Sequence, residues 1–315
     1  MASDFFEARS MRAFHSFWSE PNRSRHNGSI VFPDFEQLTA ILSALEWRSH
    51  SGPVCMITDS DGAEYFRRAG LSVFWDSTET ALDDLSGKTD PFLFWAAGKL
   101  YSLKTMKAPC VMLDTDIIIW KDIRDMLSAD VVAAHPEQLN ENVYPDRAVF
   151  RLKNGYEFPS EWDFSLDAAN TAFLYIRNQD FLEHYVDRAA EFFANVEAEG
   201  LNPVTAMCFA EQRVLPMCAA AKKQSIGFLF DICDADIQDI ATHTWGFKQV
   251  LEELPESRYQ FCMRCVRRIA VDFPEFADRL KQCPDLAAYY EDYCRESKEN
   301  GLRIVLPGAE RQQNS

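Results

Sequence analysis

The sequence predicts an α/β fold: a mostly parallel mixed sheet flanked by helices, with a helical carboxyl-terminal extension. Three observations carry this. Short apolar runs bounded by turn residues alternate with helically periodic stretches through most of the chain. After about Val250 the strand signals stop and helical segments with capping acids and prolines take over. The chain has 315 residues, 47% of them hydrophobic, with only 12 Gly and 14 Pro, which excludes fibrous, low-complexity and disordered classes.

Met11 to Trp18 (MRAFHSFW) reads as a first strand, interrupted by His15 and Ser16. From Pro33 to Arg48 the positions Phe35, Leu38, Ile41, Leu42 and Leu45 recur at helical spacing. Pro53 to Thr58 is a second strand, and GAEYFRRAG a short helix stopped by Gly70. Leu71 to Asp76 reads as a third strand. Asp90-Pro91 starts a helix that runs to about Lys107, because a carboxylate caps well and proline lacks an amide that the first turn leaves unused. CVMLDTDIIIW is then an apolar run broken by two acids. Further strands are expected at VVAAHP from Val131, at Asn170 to Ile176 and at Ile226 to Ile232, with helices at DFLEHYVDRAAEFFANVEA and around AMCFAEQRVLPMCAAA. A last short apolar piece, LRIVL, lies near Leu302, and the final ten residues are expected to be loose.

Charge narrows the function. With 32 Lys+Arg against 49 Asp+Glu the net charge is −17, which repels a phosphate backbone and disfavours nucleic acid as a partner. The first residues carry two acids and no apolar stretch of signal length, and no window has the ~18 unbroken apolar residues of a membrane span. Nine cysteines cannot all pair, and several sit within apolar runs, so a cytoplasmic location is expected.

Asp114-Thr115-Asp116 places two carboxylates at i and i+2 directly after four apolar residues, ~6.6 Å apart if extended at the end of a strand. One divalent ion can collect both, and hard oxygen donors suit Mg²⁺ or Mn²⁺. The bland alternative is a turn with two solvated acids, but apolar flanks on both sides argue against it. Asp59-Ser60-Asp61-Gly62 also comes after a strand, and there a loop and helix cap is the better account, with Thr58 and Asp59 expected to line the cleft and contact the cofactor without binding metal. Asp231, Asp234, Asp236 and Asp239 lack the spacing of a calcium loop and read as mostly solvated. HTWGFK offers a metal-ligating imidazole at His243, a glycine at Gly246 that lets a phosphate approach, and an ammonium at Lys248. Cys262 and Cys265, with Cys283 and Cys294, have uneven gaps and read as packing rather than a zinc site. Phe92, Phe94, Trp95 and Tyr101 read as core first and sugar platform second.

The order of these motifs resembles a known family. DTD, then Asn170 in AANTAFLYIRN, then Glu211-Gln212 in FAEQRVL, then HTWGFK is similar to the GT-A glycosyltransferases of the glycogenin and bacterial lipooligosaccharide galactosyltransferase type. The likeness is at motif level over roughly residues 11 to 250. It implies a GT-A catalytic domain over 1–250, with 251–315 a helical extension packed on the same domain. It further implies that Asp114, Asp116 and His243 hold Mn²⁺ or Mg²⁺, and that Gly246 and Lys248 contact the diphosphate of a nucleotide-sugar donor, expected to be a UDP-sugar. Asn170 would face the donor sugar, Glu211 and Gln212 would sit beside the anomeric carbon and acceptor, and Lys99 falls where the family has an arginine reaching the donor. The resemblance also implies a retaining outcome. The sequence departs from the pattern at three points: Thr-Ala comes after Asn170, Glu211 replaces an aspartate, and a single residue separates Gly246 from Lys248.

Two rivals stand beside this expectation. One is a glycosyltransferase-like module that binds nucleotide-sugar without turnover. The other is a haloacid-dehalogenase-type phosphatase, which also places D-x-D after an apolar strand. That family carries the motif on its first strand, whereas here more than a hundred residues precede it.

Overall fold

The computed structural model describes residues 11–153, 155–231 and 237–299. The LRIVL piece near Leu302, the chain end, and Asp234 and Asp236 lie outside the described residues. In chain order the strands are β1 (Ala13–Phe17), β2 (Val54–Thr58), β3 (Ser77–Glu79), β4 (Cys110–Leu113), β5 (Ile117–Ile119), β6 (Val131–Ala133), β7 (Pro136–Glu137), β8 (Ala168–Ala169), β9 (Phe173–Ile176), β10 (Ile226–Phe228) and β11 (Ala241–His243). The principal helices are α1 (Ser19–Arg25), α2 (Asp34–His50), α3 (Ser60–Arg68), α4 (Ala97–Leu103), α5 (Gln179–Asn195), α6 (Pro203–Cys208), α7 (Val214–Ala221), α8 (Lys248–Glu253), α9 (Pro255–Asp272) and α10 (Ala287–Glu299).

Seven strands form the central sheet in the order β10-β6-β9-β4-β1-β2-β3. The β4, β1, β2 and β3 strands run parallel, and β9 lies antiparallel between β4 and β6. This is the α/β, mostly parallel mixed sheet that the alternation of elements predicts. Alternate residues of each strand enter opposite layers. Val54, Met56, Val111, Leu113 and Phe173 pack with α2 and α9, while Phe14, Cys55, Ile57, Met112 and Leu174 pack with α4, α5 and α7. Phe14, Phe35, Trp47 and Phe173 are fully buried, each contributing on the order of 1.5–3 kcal/mol by leaving water. The α9 helix is tied to α2 by ion pairs from Arg258 to Asp34 (2.6 Å) and from Arg268 to Glu46 (3.3 Å), so residues beyond 250 share the core of the sheet.

Three elements depart from expectation. Leu71 to Asp76 is not a strand: it forms a 3₁₀ turn at Ser72–Phe74, and β3 begins only at Ser77. Its buried residues Leu71, Phe74 and Trp75 are spaced at three and four, which is the period of a helical turn. The helix expected from Asp90 to Lys107 is regular only over α4. Asp90 does cap, accepting from Phe92 N (2.8 Å) and Leu93 N (3.1 Å), but residues 91–96 are turns that bring Phe94 against Phe193, ring centroids 4.4 Å apart. The segment expected as one helix around Ala206 to Ala221 is α6 and α7 joined by a π-turn at Phe209–Arg213. Pro216 explains the wide turn: its ring would collide with the carbonyl four residues earlier, at Gln212, in a regular helix.

Among the described residues no helix is long and apolar enough to cross a membrane. Cys262, Cys265 and Cys283 are buried free thiols packed in the core.

Candidate active site

β1, β2 and β4 run parallel, so their carboxyl ends share one edge of the sheet, where ligands of open α/β sheets gather. At the end of β4 the chain turns tightly: Asp114 N donates to Ala172 O (2.8 Å) and Ile117 N to Asp114 O (3.3 Å). It then leaves the main sheet as β5, which pairs antiparallel with β11 and sets Ile117 opposite His243. Thr244 N donates to Asp116 O at 2.9 Å, extending that ladder. A two-stranded ribbon therefore carries an imidazole from more than a hundred residues away to the two acids.

One ligand atom each from Asp114, Asp116 and His243 lies within 4.8 Å of the others. His243 Nε2 is 3.5 Å from Asp116 Oδ1. Two carboxylate oxygens and one imidazole nitrogen at this separation suit a divalent cation such as Mn²⁺ or Mg²⁺, with positions left over for a substrate. Among the described residues this is the one group of three or more His, Cys, Asp or Glu with such geometry.

Two lysines stand on either side. Lys248 Nζ, from the start of α8, is 3.0 Å from Asp116 Oδ2 and 3.0 Å from Glu36 Oε1. Lys99 Nζ, from α4, is 2.7 Å from Asp114 Oδ1 and 2.9 Å from Glu211 Oε1. Glu211 lies in the π-turn, where Thr171 Oγ1 donates to its carboxylate at 2.6 Å and the Tyr185 hydroxyl to its carbonyl at 2.6 Å. The sequence offered no signal for Glu36, Thr171 or Tyr185: each is an ordinary helix or strand-end residue until tertiary structure brings it here.

Burial sets the electrostatics. It penalises both ammonium groups, yet Asp114 and Glu211 beside Lys99, and Asp116 and Glu36 beside Lys248, outweigh that and raise both lysines above their ordinary range. Asp116 is pushed up by burial but held below the usual carboxylate range by the hydrogen bond from His243 and the charge of Lys248. Asp114 moves the other way, raised by burial and by the neighbouring Asp116 and Glu211 charges against the pull of Lys99. A bound cation would relieve that crowding of negative charge.

The remaining expected residues divide into those near the site and those committed elsewhere. Asn170 precedes β9 and donates from Nδ2 to Glu137 Oε1 (2.9 Å) while its Oδ1 accepts from Ala172 N (3.0 Å). Gln212 accepts a short hydrogen bond from the Tyr144 hydroxyl. A Cβ on Gly246 would meet nothing within 4 Å, so its backbone is open to a ligand. Thr58 and Asp59 have their polar atoms committed inside the protein. Thr58 Oγ1 donates to Phe17 O (2.5 Å), and the Asp59 carboxylate accepts from Ser19 N (2.9 Å), Ser19 Oγ (2.8 Å) and Gly62 N (2.8 Å), as the cap of α3.

Residues 11–283 match the model of a family of unknown function, DUF6734, and the chain belongs to that family. No curated protein matches its sequence. Solved structures similar to it include the apo-form glycosyltransferase GlyE of Streptococcus pneumoniae, with 12% identity over 69% of this chain and 44% of that one at a TM-score of 0.36. An active-site mutant of LgtC shares 9% identity over 69% of this chain and 72% of that one, TM-score 0.38. Mouse xyloside xylosyltransferase 1 shares 14% over 65% of this chain and 83% of that one, TM-score 0.33. The chain thus spans less than half the length of GlyE.

Proposed function

We propose that this member of DUF6734 is a metal-dependent glycosyltransferase that moves a sugar from a nucleoside diphosphate donor, a UDP-sugar, to a hydroxyl acceptor. The observation that carries the reading is the convergence of Asp114, Asp116 and His243 within 4.8 Å, between two half-buried lysines at the carboxyl edge of the sheet.

Asp114, Asp116 and His243 would hold Mn²⁺ or Mg²⁺, which supplies charge neutralisation at a departing diphosphate. Breaking the bond from the anomeric carbon to the diphosphate builds negative charge on phosphate and positive charge on the sugar. Lys248, whose ammonium sits on Asp116, is placed to exchange that contact for a phosphate oxygen, and the open backbone at Gly246 allows the approach. Lys99 neutralises Asp114 and Glu211 together and so fixes both carboxylates in place. Glu211, with Gln212 and Asn170, provides the carboxylate and amide groups that face an oxocarbenium-like centre. Thr58 and Asp59 have no part in this mechanism, since their polar atoms are already bound within the fold.

Calorimetric titration with Mn²⁺ and UDP tests the reading. Nucleotide binding is expected to require the metal and to vanish in Asp116→Ala. Metal-dependent binding that persists in the variant contradicts the ligand assignment. A panel of nucleotide-sugars then separates enzyme from silent binder, because turnover of none of them favours the binder. The anomeric configuration of the product, read by NMR, tests the retaining outcome that the family resemblance implies.

A further inference from the structure

We infer that the acceptor is an amphiphilic hydroxy acid, an apolar body with a hydroxyl at one end and an anionic group at the other, seated in the cleft between the β5–β11 ribbon and α9. The inference rests on the glycosyl-transfer reading of the adjoining site and extends it to the second substrate.

A cleft of about 800 Å³ is lined by His243 and Asn170 from the neighbourhood of the site, by Glu137, and by the α9 residues Phe261, Arg264 and Arg268. Its walls are largely apolar, with Trp120 and Phe230 among them. Trp120 is a built wall and not a loose side chain: its Nε1 donates to Thr242 Oγ1 at 2.8 Å, and the Arg268 guanidinium lies 5.2 Å from its ring. Trp245 and Phe247, which also line the cleft, are 73% and 52% exposed. Rings exposed beside the site offer apolar surface that a ligand can cover. The apolar part of these walls suits an alkyl or aryl body.

Arg264 supplies the polarity. Arg268 is neutralised by Glu46 and Asp272, whereas Arg264 has no carboxylate within ion-pair distance among the described residues, and its guanidinium lies 5.9 Å from the Phe261 ring. In a chain with 49 acids against 32 bases, an arginine without an acid partner in the lining of this cleft is complementary to an anionic ligand. In transfer, the acceptor hydroxyl oxygen bonds to the anomeric carbon as that carbon's bond to the diphosphate oxygen breaks. The diphosphate leaves with the bonding pair and takes up the hydroxyl proton.

The test measures binding of three probes to the full chain with Mn²⁺ and UDP present: ω-hydroxydodecanoate, the uncharged α,ω-dodecanediol, and maltose. The acid is expected to bind roughly ten-fold more tightly than the diol, and Arg264→Gln to erase that difference while leaving the diol unchanged. Equal affinities for acid and diol, a preference that survives Arg264→Gln, or binding of maltose alone each overturns the inference. Repeating the titration without metal and nucleotide separates the two readings: if UDP binding fails, the acid–diol comparison still decides what the cleft takes.

Discussion

Two acidic loops with the same local pattern lie at the same edge of the sheet. Asp59-Ser60-Asp61 comes after β2 and Asp114-Thr115-Asp116 after β4, each an aspartate pair at i and i+2 behind a buried strand. They do opposite things. After β2 the chain enters helix α3, whose first amides need an acceptor, and Asp59 gives its carboxylate to Gly62 N and to Ser19. Asp61 pairs with Arg23 on the surface. After β4 the chain enters a strand, β5, which has no orphan amides to cap. Its acids face two lysines and an imidazole instead. The element on the carboxyl-terminal side of an acidic pair, helix or strand, thus decides whether its carboxylates serve the backbone or remain available to a ligand.

Perturbing each loop sharpens that contrast. The largest effect is expected from Lys99→Met, which leaves Asp114 and Glu211 without their shared buried cation; urea unfolding should show a loss of about 3–5 kcal/mol. A stability within error of wild type would mean that the two acids are not held as charges. Asp116→Ala should weaken metal-dependent nucleotide binding by at least about 100-fold, while far-UV circular dichroism stays unchanged. Asp59→Ala reverses that pattern. It should cost about 2 kcal/mol of stability, from a lost cap and two further hydrogen bonds, and leave Mn²⁺ affinity at the other loop intact. Equal metal affinity loss in both variants would erase the distinction between the loops.

A last test lies on β1, the strand between the two loops, and its size depends on the pH range scanned. His15 is fully buried, accepts from Trp75 Nε1 at its Nδ1 (2.9 Å) and meets Ser43 Oγ at 3.0 Å. Burial lowers its pKa from 6.5 to about 3, with Asp116 pulling weakly the other way. The unfolded chain therefore takes up a proton near pH 6.5 that the folded protein refuses, and stability falls as pH drops from there toward 3, by up to about 1.4 kcal/mol per pH unit. Thermal unfolding across this range should show that slope, and His15→Gln, which can still accept from Trp75, should flatten it.

Several parts of this structure were legible in the residues themselves. The alternation of apolar runs with helical periodicity gives the mixed sheet, because a strand covered on both faces and a helix covered on one leave different apolar patterns. The apolar flanks of Asp114 and Asp116 mark that pair as embedded, and the capping account of Asp59 comes from Gly62 and the amphipathic stretch after it. By contrast, Leu71 to Asp76 misled as a strand because six residues are too few for its helical spacing to stand out, and the π-turn around Glu211 is implied only by a proline five residues later.

By itself, then, the sequence determined the layered α/β class, the acidic pair and the candidate imidazole and ammonium groups, since each depends on residue type and on neighbours within a few positions. Tertiary structure alone decided that His243 lies opposite Ile117, that Lys99 joins Asp114 to Glu211, that Glu36 shares Lys248 with Asp116, and that Arg264 lines the same cleft as His243 and Trp120. The contacts of His243 with Ile117, Lys99 with Glu211 and Lys248 with Glu36 join residues more than a hundred positions apart. Strand register and helix packing set them, and no local pattern encodes which distant side chain will stand opposite.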